Sequence, residues 1–245
     1  MPRRTARLAA LAIALAAMAT VLPVAFASGL QVSPIGLHVA ASDQAEALWL
    51  TNTGSDTLHA QVRVFRWTQV DGKDVLEASH DLVVSPPMVT IAPGDRQLVR
   101  VIRQVAPPSD GKEAAYRVVV DELPVDGADK GGLKFVLRYS VPVFLAPAGD
   151  PTVSATLQSN WLDTPDGPRL SVHNTGSGHA QVADVTQTGV GAKGVPLVPG
   201  LVGYVLPGST MAWPLPPDVR RAGALRARIN GEASESTLVV DAASR

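Results

Sequence analysis

The sequence predicts an all-β protein, two related β-sandwich domains behind a cleaved signal peptide. Three observations carry this. Apolar and polar residues alternate with period two through most of the chain. A strand–turn–strand pattern recurs once with its punctuation in the same order. The first 27 residues have the profile of a secretory leader.

The leader comes first. Residues 1–7 carry Arg3, Arg4 and Arg7 and no acid, an apolar run extends from Leu8 to Val24, and Ala25-Phe26-Ala27 closes it. A basic start, a short apolar stretch and a small-x-small end read as a signal peptide cleaved near Ala27. No later segment is long and apolar enough to cross a bilayer as a helix, which favours export over a membrane anchor. The Arg3-Arg4 pair lacks the rest of a twin-arginine context, so the general export route is expected. Cleavage leaves 245 less 27, or 218, residues, and the loss of three arginines takes the formal charge from -1 to -4.

The strands follow. Ala47 to Thr51 alternates before the turn Asn52-Thr53-Gly54-Ser55, and Ala60 to Trp67 alternates after it. Leu98 to Arg103, Tyr116 to Val120 and Leu133 to Tyr139 repeat the pattern, with Gly, Pro, Asn and Asp between them. Only Asp218 to Ala222 could form a turn of helix. The turn Asn52-Thr53-Gly54-Ser55 leads to His59-Ala60-Gln61-Val62, and Asn174-Thr175-Gly176-Ser177 leads to His179-Ala180-Gln181-Val182. Further on, Ile91-Ala92-Pro93-Gly94 matches Val205-Leu206-Pro207-Gly208. The separation from Asn to Pro is 41 residues in the first copy and 33 in the second, so loops differ while the order is kept. Pro and Gly interrupt the patterning at Ala146 to Pro151, which divides residues 28–147 from residues 148–245.

Composition excludes several functions. With 22 acidic and 21 basic side chains there is no strong positive field for nucleic acid. Zero cysteine removes disulfide scaffolds, thiolate zinc sites and thiol nucleophiles. An exported chain without cross-links must be held by its cores alone, and two domains of about 100 residues suffice for that.

None of His38, His59, His80, His173 and His179 lies in a zinc-ligand spacing, and there is no G-x-S-x-G elbow or phosphate loop. His59 and His179 fill equivalent turn positions in the two repeats, which favours a structural role. Asp121 and Glu122 are neighbours on a strand and so point to opposite faces, which prevents them acting as a glycosidase pair. No enzyme activity, metal or cofactor is expected; a hydrolase with a dispersed triad is the enzymatic alternative.

The segment from Gly131 to Pro147 is the most informative. Leu133, Phe135, Leu137, Tyr139 and Val141 share one face, with Lys134, Val136, Arg138 and Ser140 on the other. Pro142 cannot donate to a ladder, so this strand is expected at a sheet edge. An apolar edge strand invites aggregation. Either its large side chains face the domain's own core, or they are offered to another chain by strand addition; alternation alone allows both.

At this point the chain resembles the PapD-like periplasmic chaperones of chaperone–usher pilus assembly. The resemblance rests on Leu30-Gln31-Val32-Ser33-Pro34, Leu48 to Asn52, Val84-Ser85-Pro86-Pro87, Ile91 to Gly94, Tyr116 to Pro124 and Tyr139 to Pro147. It implies two immunoglobulin-like domains set as a boomerang, in the periplasm. It implies as partners pilus or fimbrial subunits, which lack their last strand, and an outer-membrane usher. The chaperone's strand would fill the subunit groove, with Leu133, Phe135, Leu137 and Tyr139 as donor side chains. No nucleotide motif is present, and capture of this kind needs none.

One departure matters. The best-known members hold the subunit's C-terminal carboxylate with two basic residues, whose positions here are Gly36 and Pro142. The pattern resembles the archaic branch, whose anchor differs. Arg117, on the neighbouring strand, is the expected replacement, since a guanidinium can hold a carboxylate bidentately; Arg138 and Arg103 are the alternatives. Glu122 matches a family glutamate of an interdomain salt bridge, but its arginine partner's position is Ala146. The competing function is an exported two-sandwich binding or adhesive module for a carbohydrate or protein ligand. Such sugar platforms need exposed aromatics, and Trp49, Trp67, Trp161 and Trp213 are the candidates.

Overall fold

The structure, a computed structural model, describes residues 29–124, 136–149, 151–189, 194–219 and 223–240. The expected leader, Leu133 and Phe135 lie outside the described residues. Within them the chain is strands and turns only; at Pro217 and Asp218 it makes a turn, with Val219 N–H donating to the Pro216 carbonyl.

The first domain contains β1 (Leu30–Ser33), β2 (Leu37–Val39), β3 (Ala45–Asn52), β4 (Leu58–Val70) and β5 (Lys73–Ala78). It continues with β6 (Leu82–Ser85), β7 (Met88–Ile91), β8 (Arg96–Arg103), β9 (Ala114–Leu123) and β10 (Arg138–Leu145). One sheet has the order β1-β3-β8-β6; the other has β2-β10-β9-β4-β5, with β7 also on β4. At Pro34 and again at Pro86 the chain leaves the first sheet for the second, which is how sandwich corners are made. Alternation drives the packing: Leu48 and Leu50 of β3, Val99 and Val101 of β8, and Val118 and Val120 of β9 are fully buried between the sheets. Each such side chain contributes roughly 1.5–3 kcal/mol on burial, enough in sum to dispense with cross-links.

The second domain contains β11 (Leu157–Thr164), β12 (Gly167–Asn174), β13 (Ala180–Thr188), β14 (Val195–Val205), β15 (Thr210–Pro214), β16 (Ala224–Ile229) and β17 (Glu235–Val240). Its sheets are β11-β12-β15 and β14-β13-β16-β17, packed on Val172, Val182, Val205 and Leu225. The repeated turns do the same work in both domains. Gly94 and Gly208 sit at φ 79° and 77°, the left-handed region that glycine adopts without a Cβ clash. The N–H of each donates to the carbonyl of the repeat asparagine, Asn52 or Asn174, at 2.9 and 2.8 Å.

The edge expectation for the donor segment needs one correction. β10 pairs β9 along its whole length, but it also pairs β2 in parallel over Val143, Phe144 and Leu145. Only Arg138 to Pro142 is without a second strand neighbour among the described residues. Pro142, with no N–H, stands immediately before that parallel pairing begins.

Candidate functional site

β4, β9 and β10 turn one face to the first domain's core and the other to the second domain. On β9, Tyr116, Val118 and Val120 point inward, so Ala115, Arg117, Val119 and Asp121 point outward. Register assembles the outer face into rows: Phe65, Arg117 and Pro142, then Arg63, Val119 and Ser140, then Gln61, Asp121 and Arg138.

Where this face meets the second domain it is apolar. Trp67, Ala115 and Phe144 pack on Leu206, with Tyr204 against them. Two side chains pin the domains together. Gln69 donates from Nε2 to the Tyr204 carbonyl and accepts at Oε1 from Leu206 N–H, both at 2.9 Å. The Glu113 carboxylate accepts from the His179 backbone N–H and ring Nδ1, both at 2.8 Å. Beside this junction opens a cleft of about 340 Å³ lined by Ile35, Gly36, His38, Pro142, His179 and Asn230, among others. The two positions that the resemblance would make basic are neighbours there: a Cβ on Gly36 would lie 3.7 Å from Pro142 Cγ.

Arg117 stands next to Pro142 on this face. Its guanidinium carbon lies 3.7 Å from the Trp67 ring centroid and 5.1 Å from that of Tyr204. One nitrogen reaches toward the Ser140 carbonyl at 3.4 Å, and among the described residues no carboxylate forms a salt bridge with it. Burial holds the Arg117 guanidinium below its usual range, while Tyr204 and Asp74 pull the other way. Asp74 acts on this cation only through space, so the guanidinium keeps N–H groups that no carboxylate of the described residues engages directly.

The alternatives are placed differently. Arg138 forms an ion pair with Asp121, which also holds Arg63 at 2.5 Å. Arg103 belongs to the opposite sheet and donates to the Ala41 carbonyl at 3.1 Å. Of the side chains expected to be donors, Leu137 is part-buried, and its N–H donates to the Glu122 carboxylate at 3.1 Å. Tyr139 packs against the first domain's core, and its hydroxyl donates to the Leu30 carbonyl at 2.7 Å.

No tryptophan forms an exposed sugar platform. Trp67 is 1% exposed, Trp161 and Trp213 pack on the second core, and Trp49 lies under Arg96 at 4.5 Å. Trp67 is buried, but between the domains and not in a sandwich core. Parity carried that signal, since Trp67 shares a face with Arg63 and Phe65, opposite Val62 and Val64. Tyr204 and Gln69 had no such signal, because their role depends on how the domains meet. Among the described residues no three His, Asp or Glu side chains gather as a metal site.

Known proteins agree with this arrangement. Residues 29–150 match the family described as pili and flagellar-assembly chaperone, PapD N-terminal domain. Among solved structures, one is the CsuC–CsuE chaperone-tip adhesion subunit pre-assembly complex from archaic chaperone–usher Csu pili of Acinetobacter baumannii. It is 26% identical with TM-score 0.69, and the match covers 85% of this chain and 96% of that one. The Pseudomonas aeruginosa CupB2 chaperone is 21% identical with TM-score 0.60, covering 84% and 97%. A chain from the Salmonella enterica SafA pilin–SafB chaperone complex is 16% identical with TM-score 0.64, covering 88% and 98%. The latter two show the shared fold. No curated protein matches by sequence.

Proposed function

The chain belongs to the PapD-like family of periplasmic pilus-assembly chaperones, and from that premise we propose that it captures its subunit with the segment entering β10 and receives the subunit's C-terminal carboxylate at Arg117. It is a chaperone and not an enzyme: it binds and folds pilus subunits and delivers them to an outer-membrane usher. Residues 1–27 would direct it to the periplasm and be removed there. The likeness to the Csu complex supports an archaic-branch assignment.

The single observation that carries the reading is the open edge of β10 from Arg138 to Pro142. A strand with unpaired backbone groups on one side can take up the equally unpaired edge of an incomplete subunit. Leu133, Phe135 and Leu137 precede and enter this edge with period two, so their side chains would fill the subunit's groove while the backbone pairs. Tyr139 is turned to the chaperone's own core and would mark where donation ends. The subunit's last residue would then run along the outer face past Gly36 and Pro142. These small and ring-closed residues leave room for the carboxylate to reach Arg117.

The test is co-purification from the periplasm with the subunits encoded beside this gene. A Leu133/Phe135/Leu137→Ser variant should lose most bound subunit, and Arg117→Ala should lower recovery while the chaperone remains folded. Equal recovery with the triple variant would remove the donor assignment, and undiminished recovery with Arg117→Ala would remove the anchor.

A further inference from the structure

Resting on that reading of Arg117, we infer that the carboxylate receptor is built by both domains, with Tyr204 of the second domain forming one wall and Gln69 as the positioning residue that holds it there. The family positions and the donor strand all lie in the first domain, so nothing above requires the second domain to take part in recognition.

The geometry is that of a corner. Trp67 and Tyr204 meet edge-on, with ring planes at 81° and centroids 5.5 Å apart. The Arg117 guanidinium carbon lies 3.7 and 5.1 Å from those two centroids, inside the angle between the rings. Aromatic rings attract a cation through their quadrupole and exclude water from it. A guanidinium stacked on a ring still presents its in-plane N–H fork, the edge that matches a carboxylate bidentately. Trp67 alone would stack one face and leave the rest to solvent. Tyr204 stands over the guanidinium at 5.1 Å as a second wall.

Gln69 ties this corner together. Its Nε2 donates to Asp74 Oδ1 and to the Tyr204 carbonyl, each at 2.9 Å, and its Oε1 accepts from Leu206 N–H at 2.9 Å. Asp74 Oδ1 also accepts from Trp67 Nε1 at 2.9 Å. One amide thus fixes the orientation of Trp67 through Asp74 and the position of Tyr204 through the β14 backbone. Tyr204 is further held by Gln181, whose Nε2 donates to its hydroxyl at 2.9 Å. Because the site exists only when the domains are docked, carboxylate binding and domain docking must favour one another equally.

The probe is a nonapeptide with the C-terminal sequence of the co-encoded subunit, made as the free acid and as the C-terminal amide, titrated by calorimetry. Wild type should bind the acid about tenfold tighter than the amide, the expected size of a charge-assisted bidentate contact. Tyr204→Ala and Gln69→Ala should each cut that preference about threefold or more with amide affinity unchanged, and Tyr204→Phe, which keeps the ring, should restore it. A general loss of structure would weaken acid and amide alike. Arg117→Ala should abolish the preference. If it does so while Tyr204→Ala and Gln69→Ala retain the full preference, the two-domain construction is overturned and the anchor reading survives. If Arg117→Ala retains the preference, or wild type has none, both are overturned. Should Tyr204→Ala fail to fold, Gln69→Ala and Tyr204→Leu decide the matter by the same ratio.

Discussion

Phe144 and His179 stack face to face across the boundary between the domains, with ring centroids 3.5 Å apart and planes within 1° of parallel. His38, the strand neighbour of Phe144, lies 5.4 Å from Phe144 and 5.7 Å from His179. The groups facing His38 are therefore an aromatic ring, a second imidazole, and the carboxylates of Glu113 and Glu46 at longer range. Partial burial lowers the His38 pKa below its usual 6.5 and His179 adds to this, with Glu113 and Glu46 opposing.

The domain junction should weaken in mild acid. With the folded pKa of His38 below the unfolded value of 6.5, the unfolded chain takes the proton first as pH falls. The stability contributed by neutral His38 is complete above about pH 6.5 and is lost as pH drops through the folded value. Urea midpoints measured from pH 7.5 to 5 should decline in the wild type, and His38→Gln should flatten that decline. An identical slope in the variant would show that His38 does not carry it.

Charge alone should not satisfy the Arg117 site. Arg117→Lys keeps a cation but loses the plane that stacks at 3.7 Å on Trp67 and the fork that would receive two carboxylate oxygens under the proposed anchor role. Subunit recovery should fall between wild type and Arg117→Ala, at a cost of about 1–2 kcal/mol in complex stability. Recovery equal to wild type would mean that the cleft reads charge without geometry.

The two sandwiches were legible because their signals are local. Period-two patterning reports a half-buried strand directly, and the Asn-x-Gly and Pro-Gly punctuation reports the turns that join them. The cleft was legible only in part. Arg117 could be placed beside the donor strand from register, but its companions depend on which faces of two domains meet, a relation with no sequence period. Tyr204 sits 87 residues from Arg117 and belongs to the other domain. The pairing of β2 with β10 was hidden for another reason: a strand of three residues after Pro34-Ile35-Gly36 gives too little alternation to read.

The repeat asparagines should prove structural, not functional. Asn52 donates to the Asp56 and Ile91 carbonyls at 2.8 and 2.9 Å and accepts from Gly54 N–H at 2.9 Å. Asn174 donates to the Gly178 and Val205 carbonyls at 2.8 and 3.0 Å and accepts from Gly176 N–H at 3.0 Å. Both are almost fully buried, at 1% and 0% exposure, so alanine would strand backbone groups that water cannot reach. Asn52→Ala and Asn174→Ala should each cost about 3 kcal/mol in chemical unfolding, and each should act on its own domain. A loss below about 1 kcal/mol would show that water or a backbone shift replaces these bonds.

Asp121 ties the start of β10 to the sheet through its ion pairs with Arg138 and Arg63. Burial alone would raise its carboxyl pKa, but hydrogen bonds from Arg63 and Arg138 outweigh that and hold it below 3.8. A depressed acid contributes stability that is full above the unfolded pKa and disappears as pH falls through the folded one. Asp121→Asn should therefore destabilise the protein at pH 7 by about 1 kcal/mol, a modest figure because both arginines reach solvent. The gap between variant and wild type should begin to narrow as pH falls past about 3.8, the unfolded value, and close only below the lowered folded value, where the wild-type carboxyl in the folded protein also becomes neutral. A gap that persists unchanged at low pH would assign the loss to packing. Since Arg138 opens β10, release of this ion pair should also loosen the start of that strand, so amide exchange at Tyr139 and Val141, whose N–H groups face β9, should quicken in Asp121→Asn before exchange in the centre of β9 does.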